Sequence, residues 1–280
     1  MEKLTFGSYA ELSNRVKMPL LGFGAAEVAE WTRDQTKVVR TAIEAGYRLI
    51  DCAAIYYTER GVGQAVRESG IPREKFFLTS KAWNSDMRMG RKWMLRQFEE
   101  TLRRMQTDYL DVYYMHWPVQ GNFIDSYKVL EELYYSGRVR SIGISNVNRR
   151  HFLELMAACD VVPHAHQDEF HPFCMNNYNR IFDQKHNIHF EAFLPVVRGK
   201  IEGIPILEKL AEKYGKTVYQ IVIRWDIQHG VSTIPRSSNP KHIYSNCDIF
   251  DFELTPEDMS AIDSLNTESP TNTDVDNFQD

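Results

Sequence analysis

Eight short apolar runs, separated by longer amphipathic stretches, set the tightest limit on what this chain can fold into. Runs of about six residues that are rich in Ile, Val, Tyr and Phe are typical of parallel strands buried on both faces. The runs lie at residues 19–24, 48–53, 76–81, 109–116, 139–146, 165–170, 188–195 and 231–236. Strands that alternate with helices in this way predict an α/β fold with a parallel sheet.

Four of the intervening stretches carry apolar residues at helical spacing, at 34–45, 91–105, 125–135 and 218–228. The second stretch has one apolar stripe, formed by Met94, Leu95, Phe98, Leu102 and Met105. Residue types that commonly cap helices occur at several predicted helix ends. Asn148 and Thr255 are candidate N-caps, and the candidate C-cap glycines are Gly46, Gly137 and Gly230.

The number of strand–helix units predicts the architecture. Eight such units predict a single (β/α)8 TIM barrel, with a doubly wound sheet as the alternative. No low-complexity linker divides the chain, so we expect one domain across residues 1–280. The residues before Pro19 are expected to form a hairpin that closes the bottom of the barrel. The polar composition of residues 267–280 predicts a flexible tail.

Composition narrows the possible functions. Lys and Arg number 33 against 38 Asp and Glu, a net charge of −5 that argues against a nucleic-acid face. No run reaches the roughly 18 apolar residues of a membrane span, and the first residues lack the apolar region of a signal peptide. The four cysteines lie far apart without a CxxC pair, as reduced thiols do. We therefore expect a cytoplasmic enzyme or binding protein without a nucleic-acid or membrane partner.

Chemistry-bearing side chains follow the predicted strands, at the face of a barrel where active sites lie. Asp51, Lys81 and His116 come at the ends of three successive strands, and Tyr56 follows Asp51 by five residues. A nearby Lys ammonium lowers the pKa of a tyrosine, and a carboxylate paired with that lysine keeps it charged. The sequence therefore predicts a proton-donating hole for a carbonyl oxygen that becomes an alkoxide.

At these residues and at further segments in order along the chain, the sequence resembles the aldo-keto reductase family. The resemblance is carried by residues 46–63, 77–84, 108–112, 115–118, 143–146, 167–172 and 234–237, followed by Asn246. The short connections after Lys81 and Arg198 are similar to those of bacterial-type members, such as diketogluconate and glyoxal reductases.

The resemblance implies a monomeric enzyme that reduces a small aldehyde or ketone to an alcohol with NADPH, with NADH as a possible second cofactor. It implies a catalytic tetrad of Asp51, Tyr56, Lys81 and His116. Tyr56 is the implied general acid, and hydride passes from C4 of the nicotinamide to the carbonyl carbon.

The resemblance also implies a cofactor site. Ser145, Asn146 and Gln167 are expected to hold the nicotinamide carboxamide, and Phe193 to stack on the ring. The expected site for the adenosine 2′-phosphate comprises Arg236, Ser237, His242 and Asn246.

Two cofactor-side positions depart from the family's pattern. His242 stands where the family usually has an arginine, and a histidine is mostly neutral at pH 7. This substitution weakens the expected preference for NADPH over NADH, although Arg236 and Lys241 remain. His166 stands where the family usually has Asn. Strand alternation turns its side chain away from that of Gln167, so we predict little effect on the site.

A third departure concerns the predicted substrate pocket. Ala26 stands where many relatives have an aromatic residue, which opens the pocket to a bulkier substrate. The other predicted walls of this pocket are Trp83 and Trp117, each within two residues of a predicted catalytic group.

Other interpretations stay open beside the reductase. One is a sensor subunit that binds NADP(H) with little turnover, and another is an aldolase in which Lys81 forms a Schiff base. Tyr57 is the rival proton donor, which the five-residue spacing from Asp51 argues against. His164 and His166 resemble the metal pair of barrel hydrolases, but their place at the start of a strand predicts no metal site.

Overall fold

The computed structural model describes residues 3–26 and 35–271 of the chain. Within these residues there are ten strands and eleven α-helices. A short antiparallel hairpin comes first, formed by β1 (Tyr9–Glu11) and β2 (Lys17–Pro19). The strands that follow are β3 (Gly22–Gly24), β4 (Leu49–Asp51), β5 (Phe77–Ala82), β6 (Leu110–Met115), β7 (Val139–Ser145), β8 (Ala165–Glu169), β9 (His189–Phe193) and β10 (Ser232–Thr233).

Strands β3 to β10 form one parallel sheet in chain order, and its two edges meet. Leu21 pairs with Thr233 in a parallel bridge, and the Thr233 amide donates to the Leu20 carbonyl at 2.8 Å. The Gly24 amide also donates to the Pro235 carbonyl at 3.2 Å. This closure confirms the predicted (β/α)8 barrel, and each predicted apolar run overlaps one barrel strand.

Helices connect the strands around the barrel. They are α1 (Thr36–Glu44), α2 (Glu59–Glu68), α3 (Asn84–Arg88), α4 (Arg91–Met105), α5 (Phe123–Tyr135), α6 (Arg149–Ala158), α7 (Asn177–His186), α8 (Pro205–Tyr214), α9 (Val218–Gln228), α10 (Pro240–Cys247) and α11 (Pro256–Asp263). All four predicted helices are present, although the predicted first residue, Asp34, lies outside the described residues. Asn148 and Thr255 cap α6 and α11 through their side chains, as predicted. Among the described helices, none is both long and apolar enough to cross a membrane.

The hairpin covers the amino-terminal end of the barrel, as predicted. Leu12 and Met18 are buried there and cluster with side chains at the starts of three barrel strands, among them Leu49, Phe77 and Ala165. Burying this apolar surface stabilises the bottom of the barrel. A ligand therefore approaches the barrel from the opposite end, where the strands terminate.

The last described residues are held against the carboxyl end of β8. The amide and hydroxyl of Thr271 donate to the Glu169 carboxylate at 2.8 and 2.6 Å. The His171 ring contacts the same oxygen at 2.8 Å. Residues 272–280, the greater part of the predicted flexible tail, lie outside the described residues.

His166 lies in a buried charge cluster between β8 and the helices outside it. Its Nδ1 is 2.8 Å from the Asp183 carboxylate, and its Nε2 is 3.5 Å from that of Asp168. The rings of Phe152 and Phe190 pack edge-on against the imidazole. Burial lowers the pKa of His166, but Asp183 and Asp168 together more than offset this and raise the pKa to about 10. The side chain is therefore a buried imidazolium that points away from the barrel interior, as strand alternation predicts.

His166→Asn is expected to lower the free energy of unfolding by about 3 kcal/mol at pH 6, because two buried carboxylates lose their cation. The folded pKa of about 10 lies above the ordinary 6.5 of histidine, so this stabilisation is complete below pH 6.5 and fades as pH rises towards 10. Urea unfolding of the native protein and of His166→Asn at pH 6 and pH 10 measures the difference between their free energies of unfolding. This difference is expected to be smaller at pH 10. An equal gap at both pH values would contradict the charge cluster. The control is His189→Asn, which removes a histidine whose pKa burial lowers to about 4.

Candidate active site

A cavity of about 710 Å³ opens at the carboxyl ends of the barrel strands. Of the residues predicted for the site, those that line this main cavity are Ala26, Asp51, Tyr56, His116, Trp117, Ser145, Asn146, Gln167, Phe193, Arg236, Ser237 and His242. They come from seven different strands or from the loops and the helix that follow them, so the barrel itself brings them together. Three predicted residues lie outside the lining. Lys81 is buried beneath the cavity, Trp83 lines a neighbouring one, and Asn246 is buried within α10.

The Lys81 side chain is fully buried, and all three hydrogens of its ammonium have acceptors. Nζ lies 2.7 Å from both carboxylate oxygens of Asp51 and 2.9 Å from the Cys52 carbonyl oxygen. The Asp51 carboxylate also accepts from the Thr79 hydroxyl at 2.7 Å. Burial lowers the pKa of Lys81, but Asp51, with smaller contributions from Tyr56 and Glu191, more than offsets this, so the pKa is raised and the lysine stays charged. The predicted ion pair is therefore present, and it lies below the cavity wall.

Tyr56 reaches the main cavity from a single 3-10 turn, Ala54–Tyr56, that follows β4. Its hydroxyl lies 3.3 Å from Nε2 of His116, the residue after β6. Burial, and then the charge of Lys81, hold the pKa of His116 well below its usual value. This imidazole is therefore neutral at physiological pH. A hydroxyl and a neutral ring nitrogen thus meet at one point of the cavity wall.

The predicted lowering of the Tyr56 pKa is wrong in its net direction. Burial raises the pKa of Tyr56, and the positive charge of Lys81 offsets only part of this rise. The Lys81 ammonium lies 5.3 Å from the centroid of the Tyr56 ring, and its hydrogens are donated to Asp51 and Cys52. The lysine therefore acts on the phenol through space, while loss of water around the hydroxyl disfavours the phenolate more strongly.

Three polar side chains of the predicted carboxamide site lie together, Ser145 at the end of β7, Asn146 directly after it and Gln167 within β8. Asn146 has a left-handed backbone, with φ of 55°, and its Nδ2 donates to the His116 carbonyl at 2.9 Å and to the Ser145 hydroxyl at 3.0 Å. The main-chain amide of Asn146 donates to the Gln167 main-chain carbonyl at 3.3 Å. These bonds fix Ser145, Asn146 and Gln167 next to the His116 backbone, so all three present polar groups to one part of the cavity.

Another part of the main cavity is cationic. Arg236 and Ser237 follow β10, and His242 lies near the start of α10. Arg198, which was not among the predicted cofactor residues, lines the same cavity. Burial lowers the pKa of Arg236, and the charge of Arg198 lowers it further. Two guanidinium groups that repel each other in this way are suited to a polyanionic ligand, which neutralises both.

The residues predicted to contact substrate take different positions. Ala26 and Trp117 line the main cavity. Trp83 lines a neighbouring cavity of about 680 Å³, although its ring packs edge-on against His116 with centroids 5.1 Å apart. Tyr57, the rival proton donor, lines that neighbouring cavity and is 71% exposed. Of the two adjacent tyrosines, Tyr56 is therefore the one that contacts His116 and lines the main cavity.

The structure adds a carboxylate that was not predicted from the sequence. Glu191 is fully buried in the middle of β9, and its Oε2 accepts from the Gln167 side-chain amide at 2.6 Å and from the Tyr114 hydroxyl at 2.9 Å. Phe193 ends this strand and was the predicted site residue there, whereas Glu191 lies two residues before it. A single acidic residue inside an apolar run was the available signal.

Fold and cavity together define a class of protein. The mouth of this closed parallel barrel carries an acid–base cluster, an amide cluster and a cationic region. This combination is typical of an enzyme that binds an anionic ligand and carries out proton transfer on a small reacting group beside it. The sequence profile of the aldo/keto reductase family matches residues 20–267, and the chain belongs to this family. It is accordingly an NAD(P)H-dependent oxidoreductase that reduces carbonyl groups.

Individual relatives are similar over nearly the whole chain. Glyoxal reductase of Bacillus subtilis (strain 168) is 44% identical over 256 residues, which cover 91% of this chain and 92% of that protein. The 9,11-endoperoxide prostaglandin H2 reductase of Trypanosoma cruzi (strain CL Brener) is 44% identical over 270 residues, covering 95% and 94%. The crystal structure of a mutant of Gox0644 in complex with NADPH superposes with a TM-score of 0.91 at 35% identity, covering 97% of this chain and 98% of that one.

Proposed function

We propose that this protein reduces an aldehyde or ketone to an alcohol, with NADPH as hydride donor and Tyr56 as proton donor. The observation that carries the proposal is the Tyr56 hydroxyl at 3.3 Å from the neutral His116 ring, above the buried Asp51–Lys81 ion pair. The glyoxal reductase relative and the NADPH complex of the Gox0644 mutant support it.

Each member of the tetrad has a separate task in this proposal. The Tyr56 hydroxyl donates a hydrogen bond to the carbonyl oxygen and transfers its proton as negative charge develops there. The Lys81 ammonium stabilises the resulting phenolate, and Asp51 keeps that ammonium charged and in place. The buried Nδ1 of His116 has no hydrogen-bond partner among the described residues, so we place the ring proton on Nε2. His116 then donates a second hydrogen bond to the same carbonyl oxygen.

The cavity residues fit NADPH. When bound, NADPH supplies hydride from C4 of its nicotinamide ring. Ser145, Asn146 and Gln167 provide polar groups for the carboxamide, and the Phe193 ring provides an apolar face for stacking. The phosphates are proposed to bind at the cationic part of the cavity, where Arg198 adds a second guanidinium; the residues there are Arg198, Arg236, Ser237 and His242.

The raised pKa of Tyr56 favours the reductive direction. A phenol that keeps its proton at physiological pH is ready to act as an acid, whereas oxidation of an alcohol requires the phenolate. The neutral state of His116 agrees with this assignment, because a neutral ring donates a hydrogen bond without competing as the acid.

The rate of hydride transfer in the reductive direction is expected to fall only at high pH. Burial raises the pKa of Tyr56 above its ordinary value of 10.0, and the protonated form is the active acid, so the rate falls as pH rises through a value above 10. Stopped-flow single turnovers after a rapid pH jump measure this step without interference from product release. A rate that already declines between pH 8 and pH 9 would contradict the raised pKa.

The aldolase interpretation of Lys81 fails on the geometry. A Schiff-base lysine must be neutral and must reach the substrate, but this ammonium is fully buried and donates all its hydrogens to Asp51 and Cys52. Its raised pKa adds a further barrier to nucleophilic attack.

A panel of carbonyl compounds tests the proposed function. Glyoxals, aromatic aldehydes, keto-sugars and ketosteroids are incubated with the protein and with NADPH or NADH in parallel, and loss of reduced cofactor is followed by absorbance. We expect carbonyl-dependent oxidation of NADPH that exceeds that of NADH. Fluorescence quenching by NADPH without oxidation in any reaction would instead favour the sensor interpretation.

A further inference from the structure

Beneath the proposed carboxamide site, two buried carboxylates share one amide. Gln167 and Glu191 are register partners on β8 and β9. One Nε2 hydrogen of Gln167 is donated to Asp51 at 3.0 Å, and the other is donated to Glu191 at 2.6 Å. Both acceptors belong to carboxyl groups, so the amide is oriented with its nitrogen towards the barrel interior.

This arrangement determines what Gln167 presents to a ligand. With both N–H bonds committed inward, its side-chain carbonyl oxygen is the group left to face the main cavity, which Gln167 lines. A carbonyl oxygen accepts an N–H, so the site selects a ligand with a primary amide hydrogen at that point. An amide rotated by half a turn presents donors instead and repels the same ligand group.

Glu191 is itself held in place from across the barrel. The Tyr114 hydroxyl donates to the same oxygen of Glu191 at 2.9 Å. The Tyr114 ring lies over Gly143 of the neighbouring strand, where an added Cβ falls 2.3 Å from a ring carbon. Gly143 therefore leaves the space through which Tyr114 reaches Glu191. The orientation of the carboxyl group is thus built into three strands.

The role of Glu191 does not depend on its own proton. Burial, and then the charge of Asp51, raise the pKa of Glu191 to about 7. Its second oxygen, Oε1, is buried without a hydrogen-bond partner among the described residues. A proton carried on Oε1 leaves Oε2 free to accept from Gln167 and Tyr114, so the acceptor is present in both protonation states.

We infer that Glu191 is a positioning residue for the cofactor: it fixes the Gln167 amide so that the carbonyl oxygen faces the carboxamide of the nicotinamide. Glu191 touches neither substrate nor cofactor and acts through Gln167. The inference rests on the proposed function for the identity of the ligand. It adds a determinant that lies one layer below the cavity, outside the residues that line it.

Binding of NADP⁺ and of its 3-acetylpyridine analogue tests the inference. The analogue replaces the carboxamide NH₂ by a methyl group and so lacks the hydrogen that Gln167 accepts. Tryptophan fluorescence quenching gives the Kd of each ligand. We expect the native protein to prefer NADP⁺ by about tenfold, the usual scale for one well-placed hydrogen bond. In Glu191→Met, which has no acceptor at Oε2, the preference is expected to fall below about threefold.

Glu191→Gln is the matched control, because its carbonyl oxygen can still accept from Gln167 and Tyr114. We expect this variant to keep the tenfold preference. An unchanged preference in Glu191→Met, no preference in the native protein, or equal losses in the two variants would each overturn the inference. Equal losses would assign the effect to the charge of Glu191 rather than to its acceptor oxygen. If Glu191→Met does not fold, Glu191→Asp replaces it, because its side chain is one methylene shorter and its oxygen lies farther from Gln167. The preference for NADP⁺ is then expected to fall below about threefold in Glu191→Asp.

The same measurements separate this inference from the proposed function. The binding preference is an equilibrium quantity that needs no turnover, whereas the proposed function fails if no carbonyl compound oxidises NADPH. Thermal unfolding followed by circular dichroism shows whether each variant keeps the native fold.

Discussion

Tyr56→Phe is expected to reduce kcat for carbonyl reduction by about a thousandfold, or about 4 kcal/mol of transition-state stabilisation, while the Kd for NADPH changes less than twofold. The variant removes one oxygen and its proton and leaves the ring beside His116, so the cavity keeps its shape. The Kd is expected to hold because the cofactor's polar groups are assigned to other residues. Steady-state kinetics and fluorescence titration with NADPH measure the two quantities on the same preparation.

The chain supplies its own control in the adjacent tyrosine. Tyr57 is 71% exposed and lines the neighbouring cavity, so Tyr57→Phe removes the same atoms without touching the proposed acid. We expect Tyr57→Phe to retain kcat within about twofold, as is usual for an exposed substitution. If Tyr56→Phe keeps more than a tenth of the native kcat, Tyr56 is not the general acid.

The barrel was predictable from the sequence because its strands are buried on both faces. Such strands appear as unbroken apolar runs, and all eight predicted runs overlap a barrel strand. The polar helices were harder to predict. Helix α2, for example, carries Glu59 on its buried face, where the carboxylate accepts from the Ser80 hydroxyl at 2.7 Å and pairs with Arg104. A buried carboxylate with two partners has no apolar signature in the sequence.

For the candidate site, the sequence predicted which residues meet but not how their charges balance. Spacing along the chain predicted which side chains meet at the strand ends, because the carboxyl ends of parallel strands share one face. The electrostatic balance at Tyr56 depends on burial and on a distance of 5.3 Å between Lys81 and its ring, and neither follows from spacing. Glu191 and Arg198 were missed for a related reason, since their contacts come from strands and loops that are distant in sequence.

Lys81→Met is expected to damage both stability and activity. The substitution leaves the buried Asp51 carboxylate without its cation, and breaking a buried pair from one side lowers the free energy of unfolding by about 3–5 kcal/mol. It also removes the charge that lowers the pKa of Tyr56, so the phenolate forms less readily and kcat is expected to fall at least about a hundredfold. Urea unfolding and steady-state kinetics measure the two effects.

A second substitution separates the two roles of the ion pair. Asp51→Asn combined with Lys81→Met leaves no unpaired charge at this place, while the Thr79 hydroxyl and the Gln167 amide can still donate to the Asn oxygen. Most of the lost stability is therefore expected to return in the double variant. Activity is expected to stay low, because the Tyr56 phenolate still lacks the Lys81 ammonium. Recovery of kcat together with stability would show that the pair supports only the fold and that Tyr56 transfers its proton without help from Lys81.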